Sequence, residues 1–173
     1  LEFRRVIFRS KALWRLTFDL FAAEGARNVI WLWAASDVCS GTACNAAAFY
    51  PGDDVVDVLG LDAYFDGATL PNGVKRTLAL LESMGADKPI VFGELGPAAR
   101  ADFWSNAAAE MGRIRRFRGF SLWFARGWNP WTGSATGGSL VDAAVDASTR
   151  TAFASFLASA SLTSLAEWSA PPP

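Results

Sequence analysis

A single carboxylate ends a hydrophobic, strand-like segment of this chain. The segment Lys88-Pro-Ile-Val-Phe-Gly-Glu-Leu-Gly96 contains a short apolar run from Ile90 to Phe92, which predicts a buried strand. Glu94 follows that run, with Gly93 and Gly96 on either side. A carboxylate at the end of a hydrophobic strand costs free energy unless it has a partner or a chemical task. Because the catalytic groups of (β/α) barrels lie at the C-terminal ends of strands, we expect Glu94 to be catalytic.

The ends of the other predicted strands carry aromatic and acidic side chains. These are Trp33 on the first strand, Asp62 and Tyr64 on the second, and Trp123 on the fourth. Side chains alternate along a strand, so Trp31 shares the direction of Trp33, and Asp62 shares that of Tyr64. Aromatic faces stack on sugar rings and a carboxylate can attack an oxocarbenium-like carbon, so the set is typical of a sugar site. The alternative is that Trp31 and Trp33 belong to the core and that Asp62 binds a neighbouring loop.

The chain contains no histidine, and its two cysteines are Cys39 and Cys44. Without histidine, glutamate and aspartate are the first candidates for acid/base groups. The cysteines could close a small disulfide loop, which would suit a secreted protein, or remain two free thiols. They are too few ligands for a metal site, so we expect none here.

The strand-like segments recur at a regular spacing. They begin near residues 28, 57, 88 and 117, in steps of 29, 31 and 29 residues. A strand, a loop and a helix repeated every ~30 residues form the βα unit of a parallel sheet. The arrangement is either part of a barrel or a doubly wound sheet. No Gly-x-Gly-x-x-Gly or phosphate-binding loop follows a strand, which weakens the nucleotide-binding option, so the predicted class is α/β with about half of a (β/α)8 barrel.

Helical patterns lie between these strands. Residues 1–10 are compatible with a frayed strand or a loop. Predicted helices cover residues 13–24, 74–84, 101–116 and 148–159. The cationic end of the third helix, formed by Arg113, Arg115 and Arg116, is expected to lie in solvent and to complement the helix dipole. We place a partial barrel domain at residues 1–160 and a tail or linker at residues 161–173, which end in three prolines.

Length and charge restrict the function classes. Hydrophobic residues make up 51% of the chain, a composition that excludes disorder. Its length of 173 residues falls short of the ~250 residues of a complete barrel. No apolar run approaches the ~20 residues of a membrane span. The net charge is -1, so neither nucleic acid nor an anionic membrane is expected as a partner.

Four motifs in a fixed order resemble a known family. They are Asn28-Val-Ile-Trp-Leu-Trp33; Phe49-Tyr-Pro-Gly-Asp-Asp54 with Val56-Asp-Val-Leu-Gly-Leu-Asp-Ala-Tyr64; Lys88-Pro-Ile-Val-Phe-Gly-Glu94 with Leu95-Gly-Pro97; and Ser121-Leu-Trp123 with Trp128-Asn-Pro130. Over about residues 12–150 the chain resembles glycoside hydrolase family 26, the β-mannanases. The resemblance implies the C-terminal half of a (β/α)8 TIM barrel, about strands 5 to 8 with their helices.

The resemblance also implies an activity and residue roles. The reaction would be retaining endo-hydrolysis of β-1,4-mannan without a cofactor. Glu94 would be the nucleophile, Tyr64 its hydrogen-bond partner and Trp123 the sugar platform beside the cleaved bond. Trp33 and Trp128 would be further subsite residues. From its place at the rim, Asp62 is expected to bind substrate.

One part of the family pattern is missing. The family's acid/base glutamate lies on the fourth strand in a His-Glu-Met-Asn-Gly-like motif, and this chain has no such motif. The ~30-residue step would put the end of a fourth strand near residue 3, which makes Glu2 a candidate, but no matching residues surround it. We therefore expect the acid/base carboxylate and the N-terminal half of the barrel to lie upstream, and the chain alone to be poorly active.

Three other hypotheses for the function are compatible with the sequence. The same scaffold could carry a β-glucanase or a β-xylanase. A chain that kept the aromatic platform without the acid would be a non-catalytic carbohydrate-binding pseudoenzyme. A purely structural α/β domain is the third.

Overall fold

A computed structural model describes residues 2–36, 46–64, 69–85, 87–96, 101–122 and 147–159. The elements, in chain order, are α1 (Glu2–Ala23), β1 (Leu32–Ser36), β2 (Val58–Tyr64), α2 (Asn72–Ser83), β3 (Ile90–Gly96), α3 (Ala101–Gly112), β4 (Phe117–Leu122) and α4 (Ala147–Ser159). Two short 3₁₀ turns, Ala46–Phe49 and Asp53–Val55, precede β2. The predicted tail at residues 161–173 lies outside the described residues.

The four strands form one parallel sheet in the order β1-β2-β3-β4. Each strand therefore pairs with its neighbour in the sequence, and the order never reverses. A doubly wound sheet reverses its strand order at a switch point, whereas a barrel does not. The prediction of a partial α/β barrel is confirmed.

One face of the sheet is covered by helices. Leu59, Leu61, Phe92 and Leu95 lie on this face and are at most 1% exposed. Trp104 of α3 packs with its ring centroid 5.0 Å from that of Phe156 of α4 and 6.4 Å from that of Phe120 of β4. The core therefore lies between the sheet and the helices, and the opposite face of the sheet is left for a site.

Helix α1 is longer than the sequence pattern predicts. It begins at Glu2 and runs for 22 residues, so the expectation of a strand or loop over residues 1–10 is wrong. Trp14, Phe18 and Phe21 of this helix surround Trp31, with ring-centroid distances of 5.8, 5.3 and 5.3 Å. This aromatic cluster fixes α1 against the segment that leads into β1.

The loop before β2 is tied to α1 by charge. Arg15 donates two hydrogen bonds to the Asp54 carboxylate, at 2.7 and 2.8 Å, and two more to the carbonyl of Pro51. Gly52 has φ 126°, and an added Cβ there would lie 2.5 Å from Nη2 of Arg15. The hydrogen bonds from Arg15 hold the pKa of Asp54 below its ordinary value. These contacts lie at the N-terminal edge of the sheet, where barrel residues serve stability.

The arginines after α3 differ from their prediction. Helix α3 ends at Gly112, and Arg116 has a left-handed φ of 68°. Its guanidinium donates to carbonyls at the C-terminal end of α2, those of Leu81, Glu82, Met84 and Gly85, and to the carbonyl of Lys88. The expectation that this residue lies in solvent at the end of its own helix is wrong, because the cation complements the neighbouring helix instead.

Replacing Arg116 with Ala should lower the free energy of unfolding by about 2–3 kcal/mol, because the last carbonyls of α2 lose a charged donor. Chemical denaturation would measure this loss. Arg118→Ala is the matched control, since Arg118 is exposed and its side chain donates to the carbonyl of the adjacent Phe117. Equal stability of the two variants would contradict the capping role.

Candidate active site

The register between β2 and β3 shifts by one residue at the predicted catalytic position. Leu61 pairs with Phe92, but the next residue, Asp62, pairs with Glu94. Gly93 is therefore an extra residue in β3, which is a β-bulge. Such bulges re-aim side chains and are common next to active sites.

The bulge determines which face Glu94 occupies. In a regular strand, residues three apart lie on opposite faces, yet Phe92 and Leu95 are both in the helix-covered core, at 1% and 0% exposure. The extra residue absorbs the change of parity, so Gly93 and Glu94 both lie on the face away from the helices. Glu94 is partly buried there, as is Asp62.

Three polar residues align across the sheet near the C-terminal ends of their strands. Ser36 of β1 pairs with Asp62 of β2, and Asp62 pairs with Glu94 of β3. Paired residues of neighbouring strands lie ~4.8 Å apart on the same face. The row therefore presents a hydroxyl and two carboxylates on one edge, which suits hydrogen bonding to hydroxyl-rich ligands and attack on an electrophilic carbon.

Gly93 also allows a close approach between strands. A Cβ added to Gly93 would lie 2.8 Å from Oδ1 of Asp62 and 3.3 Å from Cβ of Ala34. The Asp62 carboxylate thus lies directly against the bulged backbone. The sequence analysis identified both acidic residues but missed Ser36 and the role of Gly93.

Trp33 does not join this row. The described part of β1 begins at Leu32 and ends at Ser36, so Trp33 lies near its start. Trp33 pairs with Leu59, three residues before Asp62, and therefore lies on the opposite, helix-covered face. It is 7% exposed, and its ring centroid lies 5.1 Å from that of Tyr50. The prediction that Trp33 lies at the rim is wrong, because the strand continues three residues beyond it.

The remaining predicted residues fall into two groups. Tyr64 lies at the register position opposite Gly96, but its side chain is outside what the structure describes, so its hydrogen bond to Glu94 stays a prediction. Trp123, Trp128, Cys39 and Cys44 lie outside the described residues.

Glu2 lies at the start of helix α1 rather than at the end of a strand. The extrapolated fourth strand near residue 3 is therefore wrong. Among the described residues, no three acidic, histidine or cysteine side chains form a metal-binding group. None of the described helices is long and apolar enough to cross a membrane.

The comparison with known families agrees with the parallel sheet and its helices. Residues 4–124 match the family model for glycosyl hydrolase family 26. The chain belongs to glycosyl hydrolase family 26. Its motifs at β1, β2 and β3 all lie within the matched residues.

Two curated relatives of the chain are mannan endo-1,4-β-mannosidases. The protein from Thermothelomyces thermophilus is 30% identical over 119 residues, which is 67% of this chain and 20% of that protein. The protein from Bacillus subtilis strain 168 is 47% identical over 49 residues, 28% of this chain and 12% of that protein. The chain therefore spans a fifth or less of these relatives.

The fold also matches a solved family 26 structure. This is the catalytic domain of an endo-β-1,4-mannanase from Bacillus sp. JAMB-750, with a TM-score of 0.67 and 20% identity. The match covers 93% of this chain and 46% of that one. The chain thus matches about half of that catalytic domain.

The core position of Trp33 gives a prediction for Trp33→Ala. Removing a buried indole should lower the free energy of unfolding by about 3–5 kcal/mol. Chemical denaturation measures this loss. A variant as stable as the unaltered protein would contradict the core placement.

Proposed function

We propose that this chain supplies the nucleophile side of the active site of a retaining endo-β-1,4-mannanase, with Glu94 as the nucleophile. The observation that carries the proposal is the β-bulge that puts Glu94 beside Asp62 at the C-terminal edge of a parallel barrel sheet. Mannan as substrate is supported by the names of the curated relatives, which are mannan endo-1,4-β-mannosidases.

The proposed chemistry has two steps. In the first, a lone pair of the Glu94 carboxylate forms a bond to the anomeric carbon while the glycosidic C–O bond breaks. The leaving oxygen takes the bonding electrons and a proton from a second carboxylic acid. In the second step water attacks the same carbon, gives its proton to that second carboxylate, and Glu94 departs as a carboxylate.

Neighbouring residues support this role for Glu94. Asp62 accepts hydrogen bonds from substrate hydroxyls beside the reacting carbon. Tyr64 donates a hydrogen bond to Glu94, which favours the ionised form of the carboxylate. Trp123 stacks against the sugar next to the cleaved bond, and Trp128 extends that surface.

Two alternatives use the same face. A β-glucanase or β-xylanase would share the nucleophile and differ in the hydroxyl contacts. A carbohydrate-binding pseudoenzyme would keep the aromatic surface without turnover. Reducing-sugar release from mannan, glucan and xylan by the longest natural form of the protein separates them.

Glu94→Gln in that protein should lower kcat by about 10⁴-fold or more, because the nucleophilic oxygen is lost while the shape of the site is kept. Mannan hydrolysis measures this. Glu24→Gln is the control, since Glu24 is an exposed residue in the turn after α1. Unchanged hydrolysis in the Glu94 variant would overturn the nucleophile assignment, and turnover absent already in the unaltered protein, with retained sugar affinity, would favour the pseudoenzyme.

The second carboxylate and the rest of the barrel are also part of the proposal. Helix α1 exposes an apolar stripe formed by Val6, Leu13, Leu16 and Leu20, each 55–65% exposed. These residues recur at helical spacing on one side of α1, away from the ring of Trp31. Exposed stripes of this kind mark interfaces. Since the solved catalytic domain is about twice the matched part, we propose that preceding βα units cover the stripe and carry the acid/base carboxylate.

Leu13→Asp in the longest natural chain should therefore lower the free energy of unfolding by about 2–4 kcal/mol, because a charge would be buried without a partner. The control is Ser10→Asp, an exposed position on the same helix. Equal, small effects of both substitutions would show that the stripe stays uncovered. Unfolding that depends on protein concentration would instead identify a second copy of the chain as the cover.

A further inference from the structure

We propose that Gly93 is a positioning residue of the active site, because its missing side chain leaves the space in which the Asp62 carboxylate lies beside Glu94. The inference rests on the proposed role of Glu94 and adds a residue that has no functional group of its own. It is carried by two independent observations, the register shift and the distance from Gly93 to Asp62.

The register shift in β3 determines the face of the sheet on which Glu94 lies. Without an extra residue in β3, the parity of the strand would turn Glu94 toward the helices when Phe92 is in the core. The bulge at Gly93 restores Glu94 to the face of Asp62, and Leu95 returns to the core at 0% exposure. The insertion therefore brings the two carboxylates into register as a pair.

The short distance between Gly93 and Asp62 leaves no room for a side chain at position 93. A Cβ at Gly93 would lie 2.8 Å from Oδ1 of Asp62, a distance that real Cβ atoms essentially never show. The backbone of Gly93 does not have the left-handed φ found at Gly25, Gly52 and Gly85. The obstacle to a side chain at this position is thus the neighbouring carboxylate rather than the backbone conformation.

The close approach of Gly93 to Asp62 links the direction of Glu94 to the space left for the Asp62 carboxylate. The Asp62 carboxylate can be moved by rotation about two side-chain torsions, whereas the Gly93 backbone is held by the pairing of β3 with β2. A methyl group at Gly93 should therefore displace the carboxylate of Asp62 and leave the strands paired. A misplacement of about 1 Å at a reacting centre costs about 10²-fold in rate.

The test is covalent labelling with an activated 2-deoxy-2-fluoro-β-mannoside that carries a fluoride leaving group. Such a reagent needs little help from an acid, and the fluorine slows release of the glycosyl-enzyme, so the label reports on the nucleophile. In the longest natural chain, peptide mass spectrometry should find the label on Glu94. Gly93→Ala should be labelled about 10²-fold more slowly at an unchanged melting temperature or one slightly lowered.

Two further variants separate positioning from a general structural effect. Gly119→Ala in β4 is the matched glycine control, because a Cβ there meets nothing within 4 Å, and its labelling rate should stay at the unaltered value. In an Asp62→Ala background the added Cβ at Gly93 loses its 2.8 Å contact and keeps the one of 3.3 Å to Ala34. Gly93→Ala should then change the labelling rate less than about threefold, so that the two substitutions are not additive.

The outcomes distinguish the two proposals. Absence of label on Glu94 in the unaltered protein overturns the nucleophile assignment and the inference with it. Label on Glu94 at the same rate in the unaltered and Gly93→Ala proteins overturns the inference alone. Additive effects of Gly93→Ala and Asp62→Ala also overturn it, because they would show that the methyl group acts without the carboxylate.

Discussion

The alternation of side chains between two faces of a parallel sheet is the constraint on which this structure depends. One face must be apolar because the helices cover it, and residues such as Leu61 and Phe92 meet that demand. The other face is free to carry polar groups. A strand that obeyed the rule throughout could not bury both Phe92 and Leu95 and still place Glu94 beside Asp62. The single extra residue in β3 resolves this conflict, so the same strand serves the core and the site.

The two edges of the sheet are built differently. At the N-terminal edge, cationic side chains of Arg15, Lys88 and Arg116 bind the loops that precede β2 and β3. Lys88 donates to the carbonyls of Asp53 and Val56, at 2.8 and 2.6 Å. At the C-terminal edge, Ser36, Asp62 and Glu94 are aligned across three strands. Stabilising hydrogen bonds thus lie at one edge and the candidate site at the other, which is the division found in barrel enzymes.

The sequence predicted the repeated elements well because they follow from local physics. An apolar run every ~30 residues with a helical pattern between runs specifies parallel βα units, and the structure has them. The identity of Glu94 and Asp62 as strand-end carboxylates was also accessible, since charge at the end of an apolar segment is unusual. The parallel direction of the strands followed from the ~30-residue spacing, whereas their order left both a barrel and a doubly wound sheet possible.

Other features depend on contacts between distant segments and could not be predicted. The sequence pattern places Trp33 at the end of a strand. The true end is set by pairing with β2, which continues as far as Ser36 and Asp62. The sequence places Arg116 at the end of its own helix, because its partners in α2, Leu81 and Glu82, lie 35 and 34 residues away. The bulge at Gly93 has no local signature beyond a glycine, and it becomes visible only in the register of two strands.

The hydrogen bonds at the N-terminal edge of the sheet determine which residues there can change in evolution. Most of the atoms that accept hydrogen bonds from Arg15, Lys88 and Arg116 are backbone carbonyls, which every amino acid provides. Apart from Asp54, whose carboxylate accepts from Arg15, the accepting residues can therefore change their side chains without loss of the bonds, whereas the three donors cannot. Sequence drift at exposed positions between α2 and β3, such as Ser83, should be tolerated, whereas the buried Leu81, Gly85 with its φ of 45° and the donor Lys88 should be retained.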